Sequence, residues 1–233
     1  MRIALFGYGK MGQMIEGVAL DRNHQIVAKI DENTQEIDFS TIDVAIDFSM
    51  PQAAFENISK CLENNVPVIS GTTGWLENYD KAVALCNAKK GAFIHASNFS
   101  LGVNIFFELN AQLAKMMQHL NQYEVGIEEI HHTQKLDAPS GTAITLAECI
   151  IENTAYEGWK LDAKVEKHIP ITSKRIGTTP GTHTVTYTSE VDDITIEHKA
   201  HNRTGFAEGA VIAAEWLNGK RGVFTMRDVL NLG

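Results

Sequence analysis

Three cysteines in 233 residues, Cys61, Cys86 and Cys149, are too few and too scattered for a disulfide framework. Each falls on a predicted helix without a CxxC neighbour, so reduced, mostly buried thiols are expected. Positive charge is scarce as well: 20 Lys and Arg stand against 29 Asp and Glu, a net charge of −9. A phosphate backbone demands a broad basic surface, so nucleic acid is excluded as a partner. Any anionic substrate has to be met by local positive charge. No apolar run approaches the length of a membrane-spanning helix, and no membrane partner is expected. Met1 to Phe6 leads straight into a motif, so no signal peptide is expected, and the chain reads as cytoplasmic. Low-complexity linkers and internal repeats are missing too. What is present is 44% apolar, enough for one large core or two modest ones.

The first hundred residues alternate strand and helix. Arg2 to Phe6 is a short apolar strand, and Gly7-Tyr8-Gly9-Lys10-Met11-Gly12 follows at once, opening an amphipathic helix to about Asp21. A second strand, Gln25 to Ile30, ends at Asp31. This is the strand–GxGxxG–helix–strand–acid order of a dinucleotide fold. Gly7 permits the tight turn, Gly9 lets backbone approach a pyrophosphate, Gly12 lets helix and strand pack closely, and Asp31 accepts from the adenosine ribose. A GxGxxG alone is weak evidence and also fits a tight turn without a ligand; the strand, spacing and acid supply the context. Asp31-Glu32 would repel a 2′-phosphate, which favours NADH, although Lys10 and Lys29 stand near enough to blunt the preference.

Strands at Asp43–Phe48, Val66–Ser70 and Gly91–Ala96 and helices at Pro51–Asn64 and Leu76–Ala88 continue the alternation. Such a pattern implies a parallel, doubly wound sheet, with ligands at the carboxyl ends of its strands. Gly71-Thr72-Thr73-Gly74 and Ala96-Ser97-Asn98-Phe99 both lie at such ends; each also fits an ordinary βα loop. Near residue 102 the organisation changes to an open mixed sheet. A long helix from Leu101 to about His119 precedes a strand from Tyr123 to Ile130. Antiparallel strands follow at Thr182–Thr188 and Ile194–Lys199, then a helix at Phe206–Asn218 and a strand at Val223–Met226. The last pair resembles the first half, so residues 1–102 and 203–233 are expected to form a dinucleotide-binding domain. Residues 103–202 are expected to form a smaller α+β domain for substrate binding and oligomerisation. One open face of its sheet needs a cover, which a partner subunit would supply.

The most informative stretch is Glu129-Ile-His131-His132-Thr-Gln-Lys135-Leu-Asp137-Ala-Pro139-Ser140-Gly141-Thr142-Ala143. His131, His132 and Lys135 are three groups able to carry or pass protons within five positions. Pro139 to Thr142 then reads as a helix start whose backbone N–H groups hold an anion. Acid–base groups beside an anion cradle suit an enzyme that grips a carboxylate and protonates a neighbouring atom. A metal is not expected, because adjacent histidines on a strand face opposite ways and no third ligand has suitable spacing. His183, His198 and His201 read as strand-surface or supporting residues, Asp137 as an orderer of the loop before Pro139. Arg203 fits either a structural ion pair or a substrate contact.

Gly7–Gly12, Gly71–Gly74, Ala96–Asn104 and above all His131-His132-x-x-Lys135-x-Asp137-Ala-Pro139-Ser140-Gly141-Thr142 closely resemble the dihydrodipicolinate reductase family. Arg175–His183, Ala200–Arg203 and Phe206–Ala210 also look like family segments, and the resemblance spans the whole chain in order. It implies a reduced nicotinamide, NADH or NADPH, delivering hydride to a small cyclic dicarboxylate in lysine and diaminopimelate biosynthesis. It further implies His131 as acid/base, Lys135 as proton donor, and His132 with Ser140, Gly141 and Thr142 on a substrate carboxylate. Residues 7–12, 31, 71–74 and 96–99 would hold the cofactor, in a homotetramer. Family members often place a basic residue just after the acid ending the second strand, where Glu32 stands here, and the loops around 156–165 are expected to be trimmed. Two other readings remain on these residues: a dinucleotide sensor without catalysis, and a dehydrogenase of another small substrate.

Overall fold

A computed structural model describes residues 1–31, 34 and 36–232. The chain forms two compact units, one from residues 1–101 and 204–233, the other from residues 102–203.

The first unit holds β1 (Arg2–Phe6), α1 (Lys10–Asp21), β2 (Gln25–Ile30), β3 (Val44–Asp47), α2 (Pro51–Glu63) and β4 (Val68–Ser70). It continues with α3 (Tyr79–Lys89) and β5 (Ala92–His95). Its strands pair in parallel, and its last strand, β11 (Gly222–Phe224), joins the edge to give the order β11-β5-β4-β3-β1-β2. β3 and β4 are buried at every position, as strands covered on both faces must be. Alternation sorts their side chains into two cores. Ile3, Leu5, Val44, Ile46, Ile69 and Ile94 face one side with α1 and α6 (Thr204–Leu217). Ala4, Phe6, Ala45, Val68 and Phe93 face the other with α2 and α3. Pro51 takes the first turn of α2, where its missing N–H costs nothing.

The second unit contains most of α4 (Leu101–Met117), then β6 (Glu124–His131), α5 (Gly141–Ile151), β7 (Gly158–Leu161), β8 (His168–Arg175), β9 (Thr182–Thr188) and β10 (Asp193–Lys199). Its mixed sheet runs β10-β9-β6-β8-β7. Along β6, Val125, Ile127, Glu129 and His131 are buried while Gly126, Glu128 and Ile130 are partly exposed. Ala143, Leu146, Ala147 and Ile150 of α5 pack on the inward set, and Asn110 of α4 donates from Nδ2 to the Leu146 carbonyl at 3.0 Å.

The structure departs from the sequence pattern in three places. The region around residues 156–165, expected only as trimmed loop, contains β7, and β8 follows it as a parallel neighbour of β6. Pro170 and the polar inward residues Ser173 and Arg175 hid β8, because strand rules demote proline and expect apolar inward positions. At the carboxyl end, Met226 leaves the expected strand and begins α7 (Met226–Leu230). Asp228 Oδ2 accepts from the Thr225 N–H at 2.7 Å and the Thr225 hydroxyl at 2.8 Å, a local helix start stronger than strand continuation. The helix expected from Leu76 begins as a 3₁₀ turn, Leu76–Asn78, before α3.

Candidate active site

In the first unit, the expected cofactor residues line the carboxyl edge of the parallel sheet. Strand order sets them in the sequence 96–99 after β5, 71–74 after β4, 7–12 after β1 and Asp31 after β2. The strand order reverses between β3 and β1, the position where doubly wound sheets open a crevice. Gly7 has φ +88°, and a Cβ there would sit 2.2 Å from the Phe48 carbonyl oxygen. A Cβ on Gly9 would meet nothing within 4 Å, and Gly9 caps α1 without a side chain. Backbone open at the start of a twelve-residue helix fits a pyrophosphate, so the residues present suit a dinucleotide. Lys10 and Met11 form the first turn of that helix.

Phe48, which the sequence did not single out, holds the neighbouring loops together. A Cβ on Gly71 would lie 2.3 Å from its ring, and the ring is 5.8 Å from that of buried Phe99. Below it lies Asp47, a wholly buried carboxylate. It accepts from Ser49 Oγ (2.6 Å), Asn57 Nδ2 (3.1 Å), Ser70 Oγ (2.7 Å) and Thr72 Oγ1 (2.8 Å). Thr72 is thereby turned inward, and its Oγ1 also accepts from the Ser49 N–H; Thr73 beside it is exposed. Ala96 ties to β4 by donating to the Ser70 carbonyl at 3.2 Å, and Asn98 Oδ1 accepts from the Ser100 N–H at 2.9 Å. Asp31 Oδ1 accepts from Thr34 Oγ1 at 3.2 Å. Glu32, half of the expected barrier to a 2′-phosphate, lies outside the described residues. Lys29 is engaged: its Nζ is 2.8 Å from Glu16 Oε1, 2.9 Å from Tyr8 Oη, and 4.4 Å from the Tyr8 ring centre. Tyr8 Oη donates to Glu16 in turn.

In the second unit, the histidine run sits where β6 ends. His131 is buried and His132 is partly exposed. Register then supplies what spacing along the chain did not: Glu129 of β6 stands opposite His183 of β9. Ligand atoms of Glu129, His131 and His183 all fall within 4.8 Å of one another, which corrects the expectation that no third ligand is in reach. The Arg175 guanidinium, 3.1 Å from the same carboxylate, already supplies a cation there.

Glu129 is the hub of this cluster, fully buried. Its Oε1 accepts from the Ser140 N–H (3.1 Å), Ser173 Oγ (2.7 Å) and Arg175 Nη2 (3.1 Å). Its Oε2 is 2.9 Å from His131 Nδ1. Burial pushes the carboxyl up, but the His131 imidazole and the three donors outweigh it and hold Glu129 well below the usual carboxylate range. His183 is pushed down to about 3 by burial and by neighbouring His131, so it is neutral in ordinary buffers. Its Nε2 is 3.1 Å from Ser140 Oγ, and its ring stands edge-on to His131 with centres 5.0 Å apart.

Ser140 caps α5, its hydroxyl accepting from the Ala143 N–H at 3.3 Å. Its own N–H goes to Glu129, which corrects the expectation of a spare donor there. Gly141 and Thr142 form the first turn, and a Cβ on Gly141 would meet nothing within 4 Å. Lys135 Nζ is 2.8 Å from Asp137 Oδ2, so Asp137 pairs with the lysine as well as ordering the loop. Burial pushes the Asp137 carboxyl up, yet Lys135 brings it below its ordinary value. Arg175, present in the sequence reading only within a family segment, clamps this loop by donating to the carbonyls of Lys135 (3.3 Å) and Asp137 (2.6 Å). Arg203 Nη2 is 3.2 Å from His132 Nε2. Because the guanidinium only donates, that nitrogen accepts and the imidazole is neutral. Desolvation and the Arg203 charge both lower the His132 pKa accordingly.

A doubly wound sheet with an open glycine-rich turn, together with a unit carrying a buried acid–base cluster, defines an NAD(P)-dependent oxidoreductase. The family model described as dihydrodipicolinate reductase, N-terminus, matches residues 1–99, and that described as its C-terminus matches residues 102–230. The chain belongs to the dihydrodipicolinate reductase family. A 4-hydroxy-tetrahydrodipicolinate reductase of Christiangramia forsetii is 58% identical over 234 residues, 99% of this chain and 98% of the relative. One from Neisseria gonorrhoeae is 37% identical over 199 residues, 82% of this chain and 73% of the relative. Among solved structures, the dipicolinate-bound dihydrodipicolinate reductase of Paenisporosarcina sp. TG-14 gives a TM-score of 0.80 at 26% identity, covering 97% of each chain. A probable dehydrogenase of Thermotoga maritima, at 9% identity and TM-score 0.59, shares the fold alone.

Proposed function

We propose that the chain reduces 4-hydroxy-tetrahydrodipicolinate (dihydrodipicolinate) to tetrahydrodipicolinate with NAD(P)H, in lysine and diaminopimelate biosynthesis. The observation that carries this reading is one buried carboxylate, Glu129, joining His131, the Lys135 loop clamp and the Ser140 cap of α5. The name of the 58% identical relative supports the same substrate. When bound, the nicotinamide supplies hydride. Residues 7–12, Asp31, 71–74 and 96–99 hold the dinucleotide, with residues 1–102 and 203–233 as its domain. Residues 103–202 bind substrate. His132 and the backbone of Gly141 and Thr142 grip a carboxylate, aided by the positive end of α5. Ser140 shapes that grip through its cap and its contact with His183. Hydride addition to a conjugated C=C–C=N leaves negative charge on carbon or nitrogen; His131 and Lys135 bring the proton that neutralises it. The test is NADH oxidation on mixing the protein with freshly generated 4-hydroxy-tetrahydrodipicolinate. Turnover only with a 2-oxo acid or an amino acid, or NADH binding without turnover, overturns the reading.

NADH is the preferred donor in this reading, because Asp31 follows β2 and Lys29 is paired with Glu16. Glu16→Ala removes the carboxylate paired with Lys29, leaving its contacts with Tyr8, and the kcat/KM ratio of NADPH to NADH should rise about fivefold, the worth of a surface ion pair near 1 kcal/mol. A wild-type preference for NADPH would overturn the assignment. A cytoplasmic homotetramer is proposed as well, in which partner subunits cover the sheet face carrying Gly126, Glu128, Thr184 and Thr186; light scattering of the purified protein tests the assembly.

A further inference from the structure

We propose that Glu129 is a positioning residue for the proton transfer: its buried carboxylate fixes His131 with the proton on Nδ1 and leaves Nε2 as the atom that exchanges a proton with substrate. The proposal rests on the reading of His131 given above. Glu129 and His131 are two residues apart on β6, so both side chains leave the same face of the strand. Oε1 is fixed by its three donors, one from the Ser140 cap of α5 and two from β8, which restrains the carboxylate. Oε2 is left over, 2.9 Å from His131 Nδ1 in an ion-pair contact; both atoms are buried and neither has a hydrogen-bond partner among the described residues, so each is the nearest group able to satisfy the other. His183 Nε2 lies farther from Oε2, at 3.9 Å, and its imidazole is neutral. The carboxylate is therefore an acceptor only, facing one nitrogen of the ring, and an acceptor there selects the Nδ1–H tautomer.

The other nitrogen faces glycine. A Cβ on Gly181 would stand 3.1 Å from His131 Nε2, and the backbone there has φ +154°. A glycine at this point leaves Nε2 uncrowded, while Nδ1 is enclosed. The ring thus has an anchored nitrogen and an approachable one, which is what a residue cycling between imidazole and imidazolium requires. On protonation the added N–H is at Nε2, away from the carboxylate, and the imidazolium as a whole lies beside the Glu129 charge, which Arg175 at 3.1 Å tempers.

A purely structural role predicts something else. If Glu129 served only to tie Ser140, Ser173 and Arg175, a glutamine keeping its carbonyl at the Oε1 position would do nearly as well. That glutamine would instead turn an NH₂ donor towards Nδ1 and favour the Nε2–H tautomer. The experiment is ¹⁵N NMR of histidine-labelled full-length protein in mildly alkaline solution, wild type and Glu129→Gln, with kcat and KM measured on the same samples. His131→Asn identifies the resonances. The expected result is Nδ1–H in the wild type and Nε2–H in Glu129→Gln. With it, kcat should fall about a hundredfold, the lower end for a lost acid–base group, with substrate KM changed less than about threefold. Nε2–H in the wild type overturns the proposal even if the variant fails to fold, as does an unchanged tautomer in the variant. A switched tautomer with unchanged kcat overturns the role of His131 itself, and the proposal with it.

Discussion

Lys135→Ala is expected to lower kcat by a hundredfold or more while NADH affinity stays nearly intact. The argument is local. The Lys135 ammonium stands 2.8 Å from Asp137, and its side chain is 21% exposed, so it is reachable but held. The loop that carries it does not depend on the ammonium, because Arg175 grips the main-chain carbonyls of Lys135 and Asp137. Alanine keeps both carbonyls. The loss of the Lys135–Asp137 pair should cost no more than about 1 kcal/mol of stability, the range of a solvent-accessible ion pair. The defect therefore falls on proton supply and on carboxylate pairing, the two roles open to this lysine. Saturating substrate separates them: a pure pairing role raises KM with kcat preserved, whereas proton supply lowers kcat at any concentration. Unchanged turnover in stopped-flow NADH fluorescence would remove Lys135 from the chemistry.

Asp47→Ala should destabilise the protein by about 3–5 kcal/mol, a drop of roughly 10 °C in Tm for a chain of this size. Asp47 is 0% exposed and gathers four side-chain donors from β4, α2 and the loops following β3 and β4. Removing the carboxylate orphans donors that have no water to turn to, and an unsatisfied buried group costs about 1–3 kcal/mol. Thr72 loses the contact that turns it inward, so the 71–74 loop relaxes and NADH KM should rise about tenfold, the equivalent of about 1.4 kcal/mol. Asp47→Asn keeps one oxygen for two of the donors and should lie between. Thermal unfolding and steady-state kinetics on the same variants test both effects. A Tm within a degree or two of wild type would show that the donors re-pair among themselves.

What the sequence makes legible is what repeats locally. The βα alternation, with its glycine turn after β1 and its acid after β2, reads directly as a parallel sheet, because covered strands are mostly apolar and helices carry one apolar face. Ser140 before a run of spaced apolar residues reads as a helix start for the same reason. The charge hub does not read this way. Glu129 meets His183 through strand register and Arg175 through a neighbouring parallel strand, 46 residues away along the chain. No periodicity encodes such pairings. Indeed Arg175 and Ser173 disguise β8, since inward-facing polar residues look like solvent-facing ones until their buried partner is known. The Arg175–His183 segment carried the only hint.

The nucleotide-side unit is discontinuous: residues 102–203 interrupt it, and α6 and β11 complete it. α6 brings Ala207, Ala210, Val211, Ala213, Ala214 and Leu217 to the sheet face it shares with α1. A ribosome making this chain therefore releases the first five strands well before the second helix of that face exists. At ordinary elongation speeds the intervening hundred residues take on the order of 5–20 s. During that interval the face carrying Ile3, Leu5, Val44, Ile46 and Ile69 has α1 but not α6 against it, while the interrupting unit, contiguous in the chain, has every strand it needs. The order of maturation is thus inverted relative to the order of synthesis, and the nascent sheet is the stage most in need of a chaperone.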